Sequence, residues 1–248
     1  MRKSKKWIGG RTIVLQRLVM SDSSLLKLSI AYDSEALEGF ETGWGFSAIL
    51  SIEGSNILFD CGWDGHILRR NLGRMGYSLA DIHTVFLSHP HWDHVGGLPE
   101  VLQDAGLLER VEVILHEGFS ERLRNEIARK ATVVEITGPR EIAPGIWSTG
   151  VLGKEVKEHA LVVTSSSGAI VLTGCAHPGV GCILDRAAEL AKPTSVIGGF
   201  HASQTTEFPS QLQRIVACHC TEKKNDLMMA FASKVSVGMV GASYEFAL

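Results

Sequence analysis

The sequence predicts one domain of the α/β (α+β) class, with a sheet covered by helices. Three observations carry this expectation. Short apolar runs rich in Val, Ile and Leu, as at 111–115 and 169–172, alternate with segments of helical spacing, the pattern of strands crossed over by helices. The 26 glycines suit frequent strand-to-loop transitions better than a helical bundle. At 248 residues and 45% hydrophobic content, the chain can bury one sizeable core.

In chain order, residues 1–23 read as a basic N-terminal arm, a solvated mobile end with five basic and no acidic residues up to Arg11, ahead of a domain spanning 24–248. Residues 25–31 read as a strand and 33–42 as a loop rich in acids and glycine. A second strand at 44–52 turns through Glu53-Gly54-Ser55-Asn56 into a third at 57–60. Ile67, Leu68, Leu72 and Met75 carry helical spacing over 65–74, and Gly76 ends that helix. A buried strand at 84–87 leads into a histidine-rich stretch. A helix at 98–107, a strand at 111–115, an amphipathic helix at 119–130 and a strand at 132–136 follow. Residues 137–158 read as a loop. Strands at 158–163 and 169–173 and apolar runs at 195–200 and 215–218 make up the second half. Val180, Ile183, Leu184, Ala187 and Ala191 mark one helix there, and Leu227, Met228, Phe231 and Val235 another.

The stretch Ser88-His89-Pro90-His91-Trp92-Asp93-His94-Val95-Gly96-Gly97 places three imidazoles and a carboxylate within six residues at a strand end. Side chains two apart on extended chain share a side, so His89 and His91 can close on one ion. Asp93 and His94 follow a turn and can reach a second. Imidazole with carboxylate points to a catalytic metal site rather than a thiolate-rich structural one. These residues, with Gly-Gly-Leu behind them, resemble the His-x-His-x-Asp-His signature of the metallo-β-lactamase superfamily. That resemblance implies a four-layer αββα sandwich, two mixed sheets flanked by helices. It also implies that the first two histidines hold one metal and the Asp and last His the other. In that family the Asp of an Asp-x-Gly turn, here Asp60, lies under the metal loop and fixes a ligating imidazole through its other nitrogen.

The second half resembles one branch of the superfamily, named for 7,8-dihydropterin-6-methyl-4-(β-D-ribofuranosyl)aminobenzene-5′-phosphate synthase. The likeness rests on Thr173-Gly174-Cys175-Ala176-His177-Pro178-Gly179, Gly198-Gly199-Phe200-His201 and Cys218-His219-Cys220-Thr221. Most of the superfamily has Thr-Gly-Asp at the first of these, with the carboxylate bridging two metals; here a cysteine stands in its place. The branch has Gly after His-Cys-Thr, whereas this chain continues Glu222-Lys223-Lys224. Carried over residue by residue, the resemblance implies His89, His91 and His177 on one metal and Asp93, His94 and His219 on the other. His201 competes with His219 for the last position. Cys175 either ligates or lies buried and inert, His116 either faces substrate or is structural, and His159 is a further candidate ligand. Lys223 and Lys224, beside Thr221 at a helix start, oppose the helix dipole unless an anionic group of the substrate sits there or water solvates them.

The expected cofactors are one or two divalent ions, zinc first, with manganese or iron admitted. The expected function is a metal-dependent hydrolase, in which metal-bound hydroxide attacks a small phosphorylated or ester substrate and Asp93 orients it or shuttles its proton. Two other readings stay open: a transferase coupling a dihydropterin diphosphate to a ribofuranosylaminobenzene phosphate, and a redox or sensory metal protein without turnover. A formal charge of −3, from 24 basic and 27 acidic residues, provides no global field for nucleic acid. The partner expected is a small-molecule substrate, anionic on the placement of Lys223 and Lys224, with neither membrane nor nucleic acid expected. Five cysteines without scaffold density, no apolar span and no leader-like segment point to a cytoplasmic protein.

Overall fold

The computed structural model describes residues 24–104 and 111–248. The basic arm expected at 1–23 lies outside the described residues, as does the end of the helix expected to reach residue 107. Two seven-stranded sheets face each other. The first runs, in spatial order, β14 (Ser243–Ala247), β1 (Leu25–Tyr32), β2 (Ser47–Ile52), β3 (Ser55–Phe59), β4 (Ile82–Phe86), β5 (Glu112–His116) and β6 (Thr132–Ile136). The second runs β13 (Val235–Val237), β12 (Arg214–Cys218), β11 (Pro193–Gly199), β10 (Gly168–Thr173), β9 (Leu161–Ser165), β8 (Ile146–Ser148) and β7 (Arg140–Ala143).

The two sheets repeat one plan. Pairing is antiparallel from β14 through β3 and parallel from β3 through β6. It is likewise antiparallel from β7 through β10 and parallel from β10 through β13. Helices α1 (Gly65–Arg74), α2 (Trp92–Val95), α3 (Leu98–Asp104) and α4 (Glu121–Ala128) belong to the first half, and α5 (Val180–Ala188) and α6 (Lys224–Phe231) to the second. Asp64 starts α1 by accepting from the amides of His66 (2.8 Å) and Ile67 (3.2 Å).

Strand period explains the layers. Leu28, Leu50, Phe59 and Phe86 point between the sheets, where they meet Leu161, Leu172, Ile197 and Val216. Alternate residues such as Ile49, Leu58 and Val85 face Leu68, Leu72, Val101 and Ile127 of the helices. On the far side Val171, Val196 and Ile215 face Ile183, Leu184 and Leu227. The order is helix, sheet, sheet, helix, the expected αββα sandwich. Among the described residues, no helix is long and apolar enough to cross a membrane.

Three expectations need correction. Residues 140–148, read as loop, form the antiparallel pair β7 and β8, whose four and three residues are too few to display a period. Val235 was expected on the last helix, but that helix stops at Phe231 where Ala232 turns to φ +39°, and Val235 opens β13. The strand expected from Trp44 begins at Ser47, leaving Trp44 57% exposed. The C-terminal strand β14 was not foreseen; Tyr244 and Phe246 on it lie under the guanidinium of Arg214 from the opposite sheet, at 5.5 and 5.0 Å.

Candidate metal centre

The parallel halves of both sheets point their carboxyl ends toward one rim. Asp60 follows β3, His89 to His94 follow β4, Cys175 and His177 follow β10, His201 follows β11 and His219 follows β12. Asp33 after β1 reaches the same rim because two antiparallel steps restore the direction of β3. Such a gathering at strand carboxyl ends is the general location of sites in open sheets.

Asp60 lies beneath the histidine loop and is fully buried. Its Oδ1 accepts the Ser88 amide at 2.7 Å, and its Oδ2 accepts the Ser88 hydroxyl at 2.6 Å and His94 Nδ1 at 2.7 Å. With the Ser88 proton committed to Asp60, Ser88 Oγ is left to accept from His89 Nδ1 at 2.9 Å. One carboxylate thus favours the Nδ1–H tautomer of His94 directly and of His89 through Ser88, and directs both Nε2 atoms inward. Burial pushes the Asp60 carboxyl up, while His94 and Ser88 pull it down. Burial lowers the His94 imidazole, but the Asp60 and Asp93 charges outweigh it and raise the group overall.

The inward nitrogens form two sets. His89 Nε2 stands 3.1 Å from His91 Nδ1, which stands 3.2 Å from His177 Nε2. Two nitrogens on one tetrahedral zinc ion stand about 3.3 Å apart, given bonds of about 2.0 Å. In the second set Asp93 Oδ2 lies 3.0 Å from His219 Nε2 and 3.9 Å from His94 Nε2. Burial and the neighbouring imidazoles pull His177 down to about 4 and His89 well below its ordinary range, so both offer bare lone pairs at neutral pH. Burial lifts Asp93, yet His219 and His94 hold it well below the usual carboxylate range. The donors therefore fit a divalent ion in charge, spacing and protonation.

Cys175 lies at the meeting point of both sets. Its Sγ is 3.1 Å from His94 Nε2 and, within 4.8 Å, groups with His89 and His177 on one side and with His94 and His219 on the other. A third neighbour is Cys220, whose Sγ is 3.3 Å away. Burial pushes the Cys175 thiol well above its usual value, and the hydrogen bond with Cys175 brings Cys220 down. A nearby cation reverses the first of these effects.

Two carboxylates that sequence reasoning missed hold the site in shape. Glu158, fully buried, accepts the Thr173 hydroxyl at 2.8 Å and the amides of Gly174, Cys175, Ala176 and His177 at 2.9–3.1 Å. It gathers the whole turn after β10. Asp33 accepts the His219 amide with both oxygens at 3.1 Å, and burial lifts it to about 6. Their one sequence signal is an acidic residue directly beside an apolar strand. Gly174 permits the close approach of that turn, since a Cβ there would stand 2.2 Å from Ser88 Oγ and 3.0 Å from His89 Nδ1. Asp60, Ala176, His201 and His219 all hold φ between 41° and 54°, four of the six non-glycine residues with positive φ among those described. His219 Nδ1 is also buried without a hydrogen-bond partner among them. Strain and an unmet polar atom concentrated here mark a functional rim rather than a packing surface.

Other candidates are not brought together. His116 accepts the Gly118 amide at Nδ1 (3.0 Å) and meets the Ser88 carbonyl at Nε2 (3.1 Å), so neither nitrogen remains for a ligand. His159 is spent in the same way, on the Ser148 hydroxyl (3.0 Å) and the Leu87 carbonyl (2.9 Å). His201 packs 4.6 Å from the His177 ring on the side of Cys175 and Cys220, while His219 takes the place beside Asp93. Trp44 packs edge-on against His219 at 4.6 Å. The lysines expected to meet an anion have partners within the chain: Lys223 bonds Gln204, and Lys224 pairs with Glu35 at 2.9 Å. Thr221 is also engaged, bonding the Cys218 carbonyl at 2.7 Å and the Phe200 amide at 3.1 Å.

Two predictions follow from this geometry. Asp60→Asn presents an amide donor to His94 and reverses its preferred tautomer, so zinc affinity, measured by competition with a chromophoric chelator, falls by about 10–100-fold; unchanged affinity in a folded variant would contradict it. The second concerns His159, whose imidazole burial depresses from 6.5 to about 3. The unfolded chain then takes up a proton the folded chain refuses, so this contribution is intact above about pH 6.5 and is lost as pH falls toward 3. Between those limits the stability of the wild type, from urea midpoints, declines more steeply than that of His159→Gln by up to about 1.4 kcal/mol per pH unit.

Comparison with known proteins agrees with the fold and the motifs. The family profile of the metallo-beta-lactamase superfamily matches residues 44–209. An uncharacterized protein of Methanocaldococcus jannaschii is 27% identical over 254 residues, spanning 86% of this chain and 98% of its own. The 7,8-dihydropterin-6-methyl-4-(beta-D-ribofuranosyl)-aminobenzene-5′-phosphate synthase of the same organism is 22% identical, over 63% of this chain and 70% of its own. Among solved structures, Tm1679, described as a metal-dependent hydrolase of the beta-lactamase superfamily, superposes with a TM-score of 0.72 at 24% identity, covering 90% of this chain and all of that one. From residue 44 to residue 209, and in the architecture around them, the chain belongs to the metallo-beta-lactamase superfamily.

Proposed function

We propose that the protein is a metal-dependent hydrolase of a small anionic ester or phosphorylated compound. The observation that supports this most is the pair of donor sets on either side of Cys175, built from residues at the ends of three strands. We assign His89, His91 and His177 to one divalent ion and Asp93, His94 and His219 to a second, with the Cys175 thiolate between them. Zinc suits imidazole and thiolate best, and manganese or iron is admitted by the carboxylate. Ions held there supply Lewis acidity toward a substrate oxygen and toward water.

The chain's own groups do the rest. Asp93 stays ionised at neutral pH and offers an acceptor that orients the attacking water. Asp60 touches no reacting atom; it holds His94 directly, and His89 through Ser88, in one orientation. A cavity of about 330 Å³ opens beside His91, with Lys154, Lys157 and Gly118 on its wall. Lys157 is paired with Glu117 at 2.6 Å. Lys154 on this wall, beside Glu155, supports an anionic substrate, whereas Lys157, Lys223 and Lys224 have partners within the chain. The distant synthase relative supports a second reading, transfer of a pterin group at the same centre.

Metal analysis of the wild type, His91→Ala and His177→Ala, beside assays on a panel of phosphodiesters and thioesters, tests the proposal. The expected result is about two ions per wild-type chain, fewer in each variant, and hydrolysis reduced at least about 100-fold by either substitution, beyond what supporting residues alone cost. Metal with pterin coupling and no hydrolysis would favour the transferase. A protein that takes up no divalent ion would overturn both readings.

A further inference from the structure

Cys175 and Cys220 come from strands that are not neighbours. β11 lies between β10 and β12, so the two backbones are about 9–10 Å apart in the sheet. Their sulfurs nevertheless meet at 3.3 Å. Three features of the chain bring this about. Ala176, next to Cys175, and His219, next to Cys220, hold φ at 54° and 41°, which folds each strand end inward over the end of β11. The Thr221 hydroxyl accepts the Phe200 amide at 3.1 Å, and the Glu222 amide donates to the His201 carbonyl at 3.0 Å, so the segment carrying Cys220 is clamped onto that strand end. Gly199, at the end of β11, leaves room for this approach, since a Cβ there would stand 2.6 Å from Cys220 Sγ and from the Gly174 carbonyl oxygen and 3.4 Å from Cys175 Cα. Any side chain at 199 would displace the Cys220 sulfur. Cys175 is almost fully buried, while Cys220 is partly buried. The other thiols are placed differently: Cys61 and Cys218 are buried and Cys182 is exposed on α5.

We propose that Cys175 and Cys220 form a reversible disulfide couple that governs ion occupancy of the centre. The bond itself depends on the two thiols alone, and its effect on occupancy rests on Cys175 being the shared ligand assigned above. With a hydroperoxide as oxidant, the Cys220 sulfur attacks one peroxide oxygen, forming a sulfenic acid and releasing water from hydrogen peroxide. The Cys175 sulfur then attacks the Cys220 sulfur, the S–O bond breaks, and a second water leaves. Two thiols lose two electrons and two protons, and the peroxide is reduced to two waters. The Cys175 sulfur, now neutral and bonded to Cys220, no longer donates as a thiolate to either ion. A dithiol restores both thiols and the donor.

The test uses the full chain, reduced and loaded with zinc, titrated with hydrogen peroxide. Free thiols are counted with a thiol reagent, crosslinks are mapped by mass spectrometry, and zinc release is followed with a chromophoric chelator. The wild type should lose two of its five thiols, yield a Cys175–Cys220 crosslinked peptide, and release zinc in step with that loss, all reversed by dithiothreitol. Cys220→Ser should retain its zinc at the same dose, and Cys182→Ser should behave as the wild type. Absence of the crosslink at every dose, or zinc release from Cys220→Ser at the wild-type rate, would overturn the inference. A crosslink in protein that binds no zinc would uphold the couple and overturn the metal assignment instead.

Discussion

The centre depends on the hydrogen bonds that converge on Asp60. A fully buried carboxylate is unfavourable unless its oxygens are met, and here Ser88 and His94 meet them from one loop. The same contacts set the chemistry of the rim. Committing the Ser88 proton downward forces His89 to donate at Nδ1, and the direct bond does the same for His94. Backbone ties reinforce the arrangement: the Asp60 amide donates to the Phe86 carbonyl at 2.8 Å and the Cys61 amide to the His94 carbonyl at 2.7 Å. The turn after β3 and the loop after β4 behave as one body, so moving either one displaces the inward nitrogens of both.

The other half of the centre is built by a different carboxylate on the same logic. Glu158 gathers four successive amides and a hydroxyl of the turn after β10. It thereby aims Cys175 at the first half and His177 toward His91. Because each sheet switches from antiparallel to parallel at a corresponding strand, β3 in one and β10 in the other, the two turns face one another across the sandwich. The centre sits at that seam, with Asp60 fixing one wall and Glu158 the other.

What could be read in the sequence was what is local. The spacing of His89, His91, Asp93 and His94 lies within one loop, and strands buried on both faces declare themselves as apolar runs. The helix at 65–74 was legible because its spacing and Gly76 agree. What could not be read depends on residues far apart in the chain. Glu158 and Asp33 matter through bonds to backbone amides, which leave no pattern in side-chain type. Lys224 looked unpaired at a helix start until the fold brought Glu35, 189 residues earlier, to its ammonium. His116 and His159 stand at strand ends like the converging histidines, and only their hydrogen bonds to Ser88 and Leu87 carbonyls set them apart. The placement of Cys175 between the donor sets follows from Gly174 and Glu158 acting together, which no single motif encodes.

The most direct test of the account is the protonation of the ring nitrogens, read from long-range proton–nitrogen correlation NMR of the protein after treatment with a chelator, near pH 8. The account predicts His89 neutral with its proton on Nδ1 and Nε2 bare, and a protonated Nδ1 on His94. A His89 ring carrying its proton on Nε2 would contradict it, because Asp60, acting through Ser88, would then not direct the lone pair that the centre requires.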